Sequence, residues 1–297
     1  MDSTFLLQLL INGLVVGSIY ALVATGFVII FKSSSALNLA QGEFLMIGAY
    51  VCLHLMTAHN APFVVALLGT MAFTALLGIL IERIVLRPLL GSPVISVIMV
   101  TLGLAAVLKS LLQMIFGTES RAYPEIFPTD PVHFGPVPVS QGYIYSLGCV
   151  VLLLLALTSF FKYTKAGLAM RATASNRQTA LSMGISVKKM FALSWCIAAM
   201  VSAIGGVLLG AVRGSADMSL GHMGLKVLPV VILGGMDSIA GAVLGGVIIG
   251  LLESLCGGYL DPLVGGGIKE VAPYIVLVLI LMLHPSGLLG SKRIERM

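Results

Sequence analysis

A chain of 297 residues in which 58% are hydrophobic and only 10% charged lies far from soluble composition, where roughly 25% of residues are charged. Its formal charge of +5 includes no basic face alternating with aromatics, which argues against nucleic acid as a partner. Apolar runs of about 20 residues recur along the whole length, each enough to cross a hydrocarbon core of ~30 Å at ~1.5 Å per residue, so the expected fold is all-α, a polytopic helical membrane protein.

Residues 1–4 carry no positive segment and no small-residue cleavage pattern, so the first apolar run, 5–31, is expected to be retained as a span. Along it Gly13, Gly17, Ala21 and Thr25 put a small residue at every fourth position. Such faces let helices approach closely in lipid, where water does not drive association. Ordinary Gly and Ala enrichment would explain one such pair, and less easily four in register.

After Lys32 and the serines 33–35 comes ALNLAQGEFLMIGAYV, residues 36–51. As helix, 42–57 would reach only about 24 Å, too short to span. A crossing there places Asn38, Gln41 and Glu43 below the membrane surface, on backbone that is broken or just entering a helix. Such backbone is tolerated only where protein buries it or a wet cavity meets it. A helix starting near Gln41 or Gly42 also presents free N–H groups and a positive dipole end, which suit a passing carboxylate. Asn38, Gln41, Gly42 and Glu43 are therefore candidates for lining or bracing a translocation path, the alternative being a cytosolic loop with Glu43 in water.

Further spans are expected at 63–81, ending in Glu82, Arg83 and Arg87, and at 94–116, where Lys109 either snorkels outward or meets a substrate. Residues 117–142 hold five prolines and cannot form a helix, so they read as an extended external loop, either a partner contact or a connector. A span at 143–161 then returns inward.

Residues 162–189 form a polar island with six positive and no acidic side chains, and that bias marks the cytosolic side. Ser175 or Asn176 can cap a helix, 178–183 suits one, and Gly184 can end it in a left-handed cap, so 173–185 is expected to hold one short helix. A solvated loop that only sets topology is the other reading. The run 190–212 goes out again, with Ser202, Gly206 and Gly210 as a second small-residue face. Arg213 and Asp217 follow in an outer loop.

The run from 225 is interrupted at Gly234-Gly235-Met236-Asp237-Ser238, and 240–255 carries Ala242, Gly246, Gly250 and Ser254 in register. That interruption echoes the one at 38–43, as an internal repeat or as an ordinary glycine turn; paired breaks of this kind mark transport sites. A last span, 271–283 extended to 289, leads to a basic tail with Lys292, Arg293 and Arg296. Nine crossings with an external N-terminus put every basic loop in the cytosol, and eight would result if 225–239 were re-entrant. The expectation is about 8–9 membrane segments with discontinuous helices in one domain, 1–297.

Chemistry is sparse. There is no GxxxxGK[ST], HExxH or GxSxG, the five histidines are scattered, and Cys52, Cys149, Cys196 and Cys256 lack metal-ligand spacing. Catalytic and metal residues are not expected, nor is a cofactor bound by this chain. Glu43, Glu253 and Lys109 are the obvious charges well inside apolar runs, and nothing in the sequence pairs them.

Two stretches carry a resemblance. The first is Gly167, Met170-Arg171-Ala172, Asn176-Arg177, Ala180-Leu181, Met183-Gly184-Ile185 and the Gly-rich span that follows; the second is Asn38 with Gln41-Gly42-Glu43-Phe44. Both resemble the membrane subunits of branched-chain amino-acid ABC importers, and the span order extends the likeness to nearly the whole chain. The H-type of that family's two permeases fits better, because the chain is short and lacks an added N-terminal span. The resemblance implies a multi-pass permease of the bacterial cytoplasmic (inner) membrane. It would work with a second permease, sister or identical, two cytosolic ATPase subunits that use the ATP, and a periplasmic or lipid-anchored binding protein.

It further implies that the 162–189 loop holds the coupling helix, with Arg171, Thr173, Ser175, Asn176, Arg177, Ala180, Leu181, Met183, Gly184 and Ile185 as candidates for ATPase docking. Gln41 stands where many relatives have His, and Ser175-Asn176 replaces a more acidic pair, which leaves urea, short amides or other amino acids as alternative substrates. A proton-driven secondary transporter would instead show titration of Glu43 and Glu253 with transport. An intramembrane enzyme would show activity of the isolated chain.

Overall fold

The computed structural model describes residues 3–34, 37–128, 130–134 and 137–290. The expectations placed on residues 1–2, Ser35, Ala36, Pro136 and the basic tail lie outside the described residues. In chain order the helices are α1 (Ser3–Ser34), α2 (Gln41–Ala58), α3 (Phe63–Ile81), α4 (Val94–Phe116), α5 (Gln141–Tyr163), α6 (Lys165–Ser175), α7 (Arg177–Ser182) and α8 (Val187–Arg213). They continue as α9 (Met223–Gly234), α10 (Ile239–Leu255), α11 (Asp261–Val264) and α12 (Ile268–Leu283). Six helical stretches among the described residues are long and apolar enough to cross a membrane: α1, α3, α4, α5, α8 and α10, with α3 and α10 each prolonged by a π-turn. The architecture is thus all-α and polytopic.

Burial sorts these helices into two classes. α1 and α8 are buried along most of their length, as is α2, whereas α4 and α5 expose most of theirs. The core lies where α1, α2 and α8 meet, around Phe27, Phe44, Tyr50 and Trp195. Apolar side chains such as Leu76, Ile95, Met114 and Leu152 point outward, which is unremarkable only if the surrounding medium is lipid or another membrane helix.

Small residues set how closely the inner helices approach. Gly13, Gly17 and Ala21 of α1 face Gly246, Gly250 and Ser254 of α10, and a Cβ added at Gly17 would run into the backbone of Gly246. On α8, Ser202 faces Gln41, Gly206 lies against the backbone of Leu45 in α2, and Gly210 lies under the ring of Tyr123. With no side chain in the way, backbones meet directly, and many weak dispersion contacts replace the missing hydrophobic drive.

The proline-rich segment is non-helical where it is described and folds back on its own chain. Strands β1 (Arg121–Ala122) and β4 (Ser215–Ala216) pair antiparallel, and β2 (Pro131–Phe134) forms a hairpin with β3 (Val137–Ser140). The Tyr123 hydroxyl, just after β1, donates to Ala49 O (3.3 Å) at the middle of α2.

One expectation is corrected here. The last helix stops at Leu283 instead of running to 289: beyond it the chain turns, and the amides of Leu288 and Leu289 donate to Leu233 O (2.8 Å) and Gly234 O (3.0 Å). These are the carbonyls that a helix C-terminus leaves without partners, so this segment caps α9. The 234–238 break, made possible by Gly235 at φ 105°, therefore packs on 287–290 and not beside the break at 38–43.

The crossings yield a contrast between two glycines. Gly246→Leu should overpack the α1–α10 contact and cost at least about 1–3 kcal/mol in thermal unfolding of the detergent-purified protein. Gly103→Leu, on a face with open space around it, should leave the transition unchanged.

Candidate functional site

The first break is a compact polar knot. α2 begins at Gln41, and the residues before it are non-helical. Asn38 Oδ1 accepts from Ala40 N (3.1 Å), Asn38 Nδ2 donates to Gln41 Oε1 (2.9 Å), and Gln41 Nε2 donates to Ser202 Oγ and to Ala198 O (3.3 Å) near the middle of α8. Leu39 N donates to Thr101 Oγ1 of α4 (3.3 Å). Asn38 and Gln41 are 1% and 0% exposed. Their amides are thus spent on holding the broken backbone against α8 and α4, and neither side chain lines an open surface of this chain.

Gly42 and Glu43 face a different neighbour. Beyond β4 the chain makes a 3₁₀ turn, Met218–His222, that leads into α9. Gly42 presses on Gly221 and Gly224 there, too closely for any side chain. The spatial counterpart of the first break is therefore this turn, at the start of α9. The Glu43 carboxylate lies over Gly221, buried to 8% exposure, and its Oε2 has no hydrogen-bond donor. Next to it His222 is exposed, and its Nε2 is 3.3 Å from Lys109 Nζ.

Lys109 thus turns sideways to His222, and its ammonium is the charge that acts on Glu43. The pairing was invisible in sequence because Lys109 and His222 are separated by 113 residues. A second group sits nearby: Tyr20 OH donates to Glu253 Oε2 (2.9 Å), Arg213 reaches Met223 Sδ (3.5 Å), and Lys226 pairs with Glu270 (3.2 Å). Sequence reasoning missed Lys226, which stands inside the apolar run 225–239. A lone lysine there was the available signal, since charge at that depth is rare without a role.

On the opposite side the polar island forms two helices, not the single helix expected over 173–185. Thr164 caps α6 by accepting from Gly167 N (3.0 Å), a Thr followed by helix-forming Ala, Leu and Met that the sequence reading passed over. The chain breaks at Asn176, whose Oδ1 accepts from Gln178 N (2.9 Å) and Thr179 N (3.1 Å) to cap α7. Gly184, at φ 80°, ends α7 with bonds from Gly184 N to Leu181 O and from Ile185 N to Ala180 O, both 3.0 Å.

The candidate docking residues divide by this geometry. Thr173 and Ala180 are buried, Arg177 and Ile185 are half-buried, and Arg171, Ser175, Asn176, Leu181, Met183 and Gly184 are exposed. Arg177 Nη2 donates to Ser33 O (2.8 Å) at the C-terminal end of α1, satisfying a carbonyl the helix leaves open.

The knot at α2 gives a stability test. Gln41→Leu keeps the volume and removes both amide functions, leaving Asn38 Nδ2 and Ser202 Oγ without this partner. Thermal unfolding should show a loss of about 1–3 kcal/mol, and adding Ser202→Ala in that background should add little.

A family model described as the permease component of the branched-chain amino acid transport system matches residues 9–283. The high-affinity branched-chain amino acid transport permease LivH of Escherichia coli K12 is 32% identical, over 98% of each chain. BraD of Pseudomonas aeruginosa PAO1, a permease of the same printed description, is 31% identical over 98% of this chain and 97% of its own. Among solved structures, a chain of PsaBC from Streptococcus pneumoniae in complex with Fab aligns with a TM-score of 0.51 at 13% identity, covering 95% of this chain and 92% of that one, a likeness of fold alone. With a family model spanning most of its length and relatives matched end to end, the chain belongs to the branched-chain amino acid transport system permease family.

Proposed function

We propose that this chain is the H-type permease subunit of an ATP-driven importer for branched-chain amino acids in the bacterial inner membrane. Residues 1–297 form one permease domain in this reading. It pairs with a second permease, docks two cytosolic ATPases and takes substrate from a periplasmic or lipid-anchored binding protein; ATP is used by the ATPases. The observation that carries it is the end-to-end likeness to permeases named for that substrate class. Nine membrane segments fit best: the six long helices plus the shorter α2, α9 and α12, with the N-terminus outside so that the basic loops face the cytosol.

In this arrangement α6 and α7 project into the cytosol as the coupling element. Leu181 and Met183 are 58% and 78% exposed at its tip, apolar groups beside the polar Arg177, Gln178, Thr179 and Ser182 of α7, which suits insertion into a partner's groove. The buried Ala180 and Thr173 hold the loop together, and the Arg177 bond to Ser33 ties α7 to α1 just before the break that leads to α2.

Leucine uptake into proteoliposomes holding the two permeases, the ATPases, the binding protein and ATP tests the function. Uptake that depends on ATP and on this chain is expected, and none would overturn the reading. Leu181→Asp and Met183→Asp, which touch no buried contact, should leave the protein inserted while copurification with the ATPases and uptake both fall about tenfold or more. Undiminished copurification in both variants would remove α7 from the docking surface.

A further inference from the structure

The knot at α2 satisfies Asn38 and Gln41 within the chain, but the residue two positions on is left open. Glu43 is more than nine-tenths buried, and its Oε2 meets no donor among the described residues. The surface it rests on is Gly221, which has no side chain to offer. A carboxylate taken out of water without a partner is costly, and proteins retain such a group when something else supplies the partner.

The nearest counter-charge does not close on it. Lys109 Nζ has one hydrogen-bond partner among the described residues, His222 Nε2 at 3.3 Å, which leaves the remaining ammonium N–H groups free. That ammonium acts electrostatically on Glu43, yet the two form no ion pair within 4.0 Å. His222, adjoining Gly221, is exposed, so the cluster reaches the surface of the chain at this residue. An anion and a cation held near each other but apart, in a membrane-spanning protein, match a ligand that bears both charges in the opposite order.

We propose that Glu43, Lys109 and His222 form a binding site for the head group of a zwitterionic α-amino acid, its ammonium on Glu43 and its carboxylate on Lys109, with the His222 ring beside the carboxylate. The site rests on the importer reading and adds the chemistry that reading leaves open. It reads only what all α-amino acids share. A free acid or an amine matches one half of it, and urea, which carries neither charge, matches none.

Charge rescue in the assembled transporter tests the site. Leucine uptake by the Lys109→Cys variant should fall about tenfold or more, the scale of a lost charge-assisted hydrogen bond. Treatment with aminoethyl methanethiosulfonate, which puts an ammonium back, should restore most of it. The sulfonatoethyl reagent, similar in length and opposite in sign, should restore none. Glu43→Gln should lower uptake in the same way, and leucine should protect a His222→Cys thiol from either reagent where leucinamide and 4-methylpentanoate do not.

Near wild-type uptake by Lys109→Cys, equal rescue by both reagents, or a thiol at 109 that neither reagent reaches would overturn the site while leaving the importer reading intact. Absence of leucine import by the unsubstituted transporter would overturn that reading, and the site with it.

Discussion

The backbone just before α2 is broken and buried, and the rest of this structure follows from how its polar groups are paired: Gln41 N and Glu43 N donate back to Asn38 O and Ala40 O in the turn that precedes the helix. Asn38 folds back to take Ala40 N, Thr101 of α4 takes Leu39 N, and Gln41 reaches across to Ser202 and Ala198 of α8. Because unpaired polar groups cost so much in hydrocarbon, these bonds place α2 against the middle of α8. A break that would be a liability in an isolated span becomes a fixed joint between three helices.

The joint can form only because backbones come together without side chains between them. Gly206 beneath Leu45, and Gly42 on Gly221 and Gly224, bring α2, α8 and the turn before α9 into direct contact, while Gly17 and Gly246 do the same for α1 and α10. This close assembly sets Glu43 on one side of Gly221 and leaves His222 outside it, within reach of Lys109 on the otherwise lipid-like α4. Charges that would each be expensive alone are gathered at one edge, where water or a neighbouring chain can meet them.

The two helices of the polar island, α6 and α7, connect to the same joint by a short route. α7 is capped at both ends by its own residues, Asn176 and Gly184. Among the described residues its long-range side-chain bond, Arg177 to Ser33, ends at a carbonyl of α1 just before the chain enters the break. α6 itself is braced on α1, α5 and α8 by packing around Gly167, Met170 and Thr173, and α7 rests on α6 and α8.

What the sequence determined by itself is local. Twenty-residue apolar runs, Asn176 and Gly184 at cap positions, prolines that exclude helix, and a stretch from 42 too short to span each act through neighbours in the chain, so the long apolar helices, the short helix α7 and the break before Gln41 were legible. The break's partners were not, nor was α6, where a cap signal at Thr164 was present but lay in a stretch read for its charge. Only the tertiary structure decided that Asn38 and Gln41 turn inward to α8, that the counterpart of the first break is the turn at Gly221 and not the one at Gly235, and that Lys109 meets His222 beside Glu43. These pairings join residues far apart in sequence through glycine crossings whose geometry depends on which helices lie side by side. Periodicity along one chain reports the face a helix buries, and the identity of what is buried against it is fixed by packing in three dimensions.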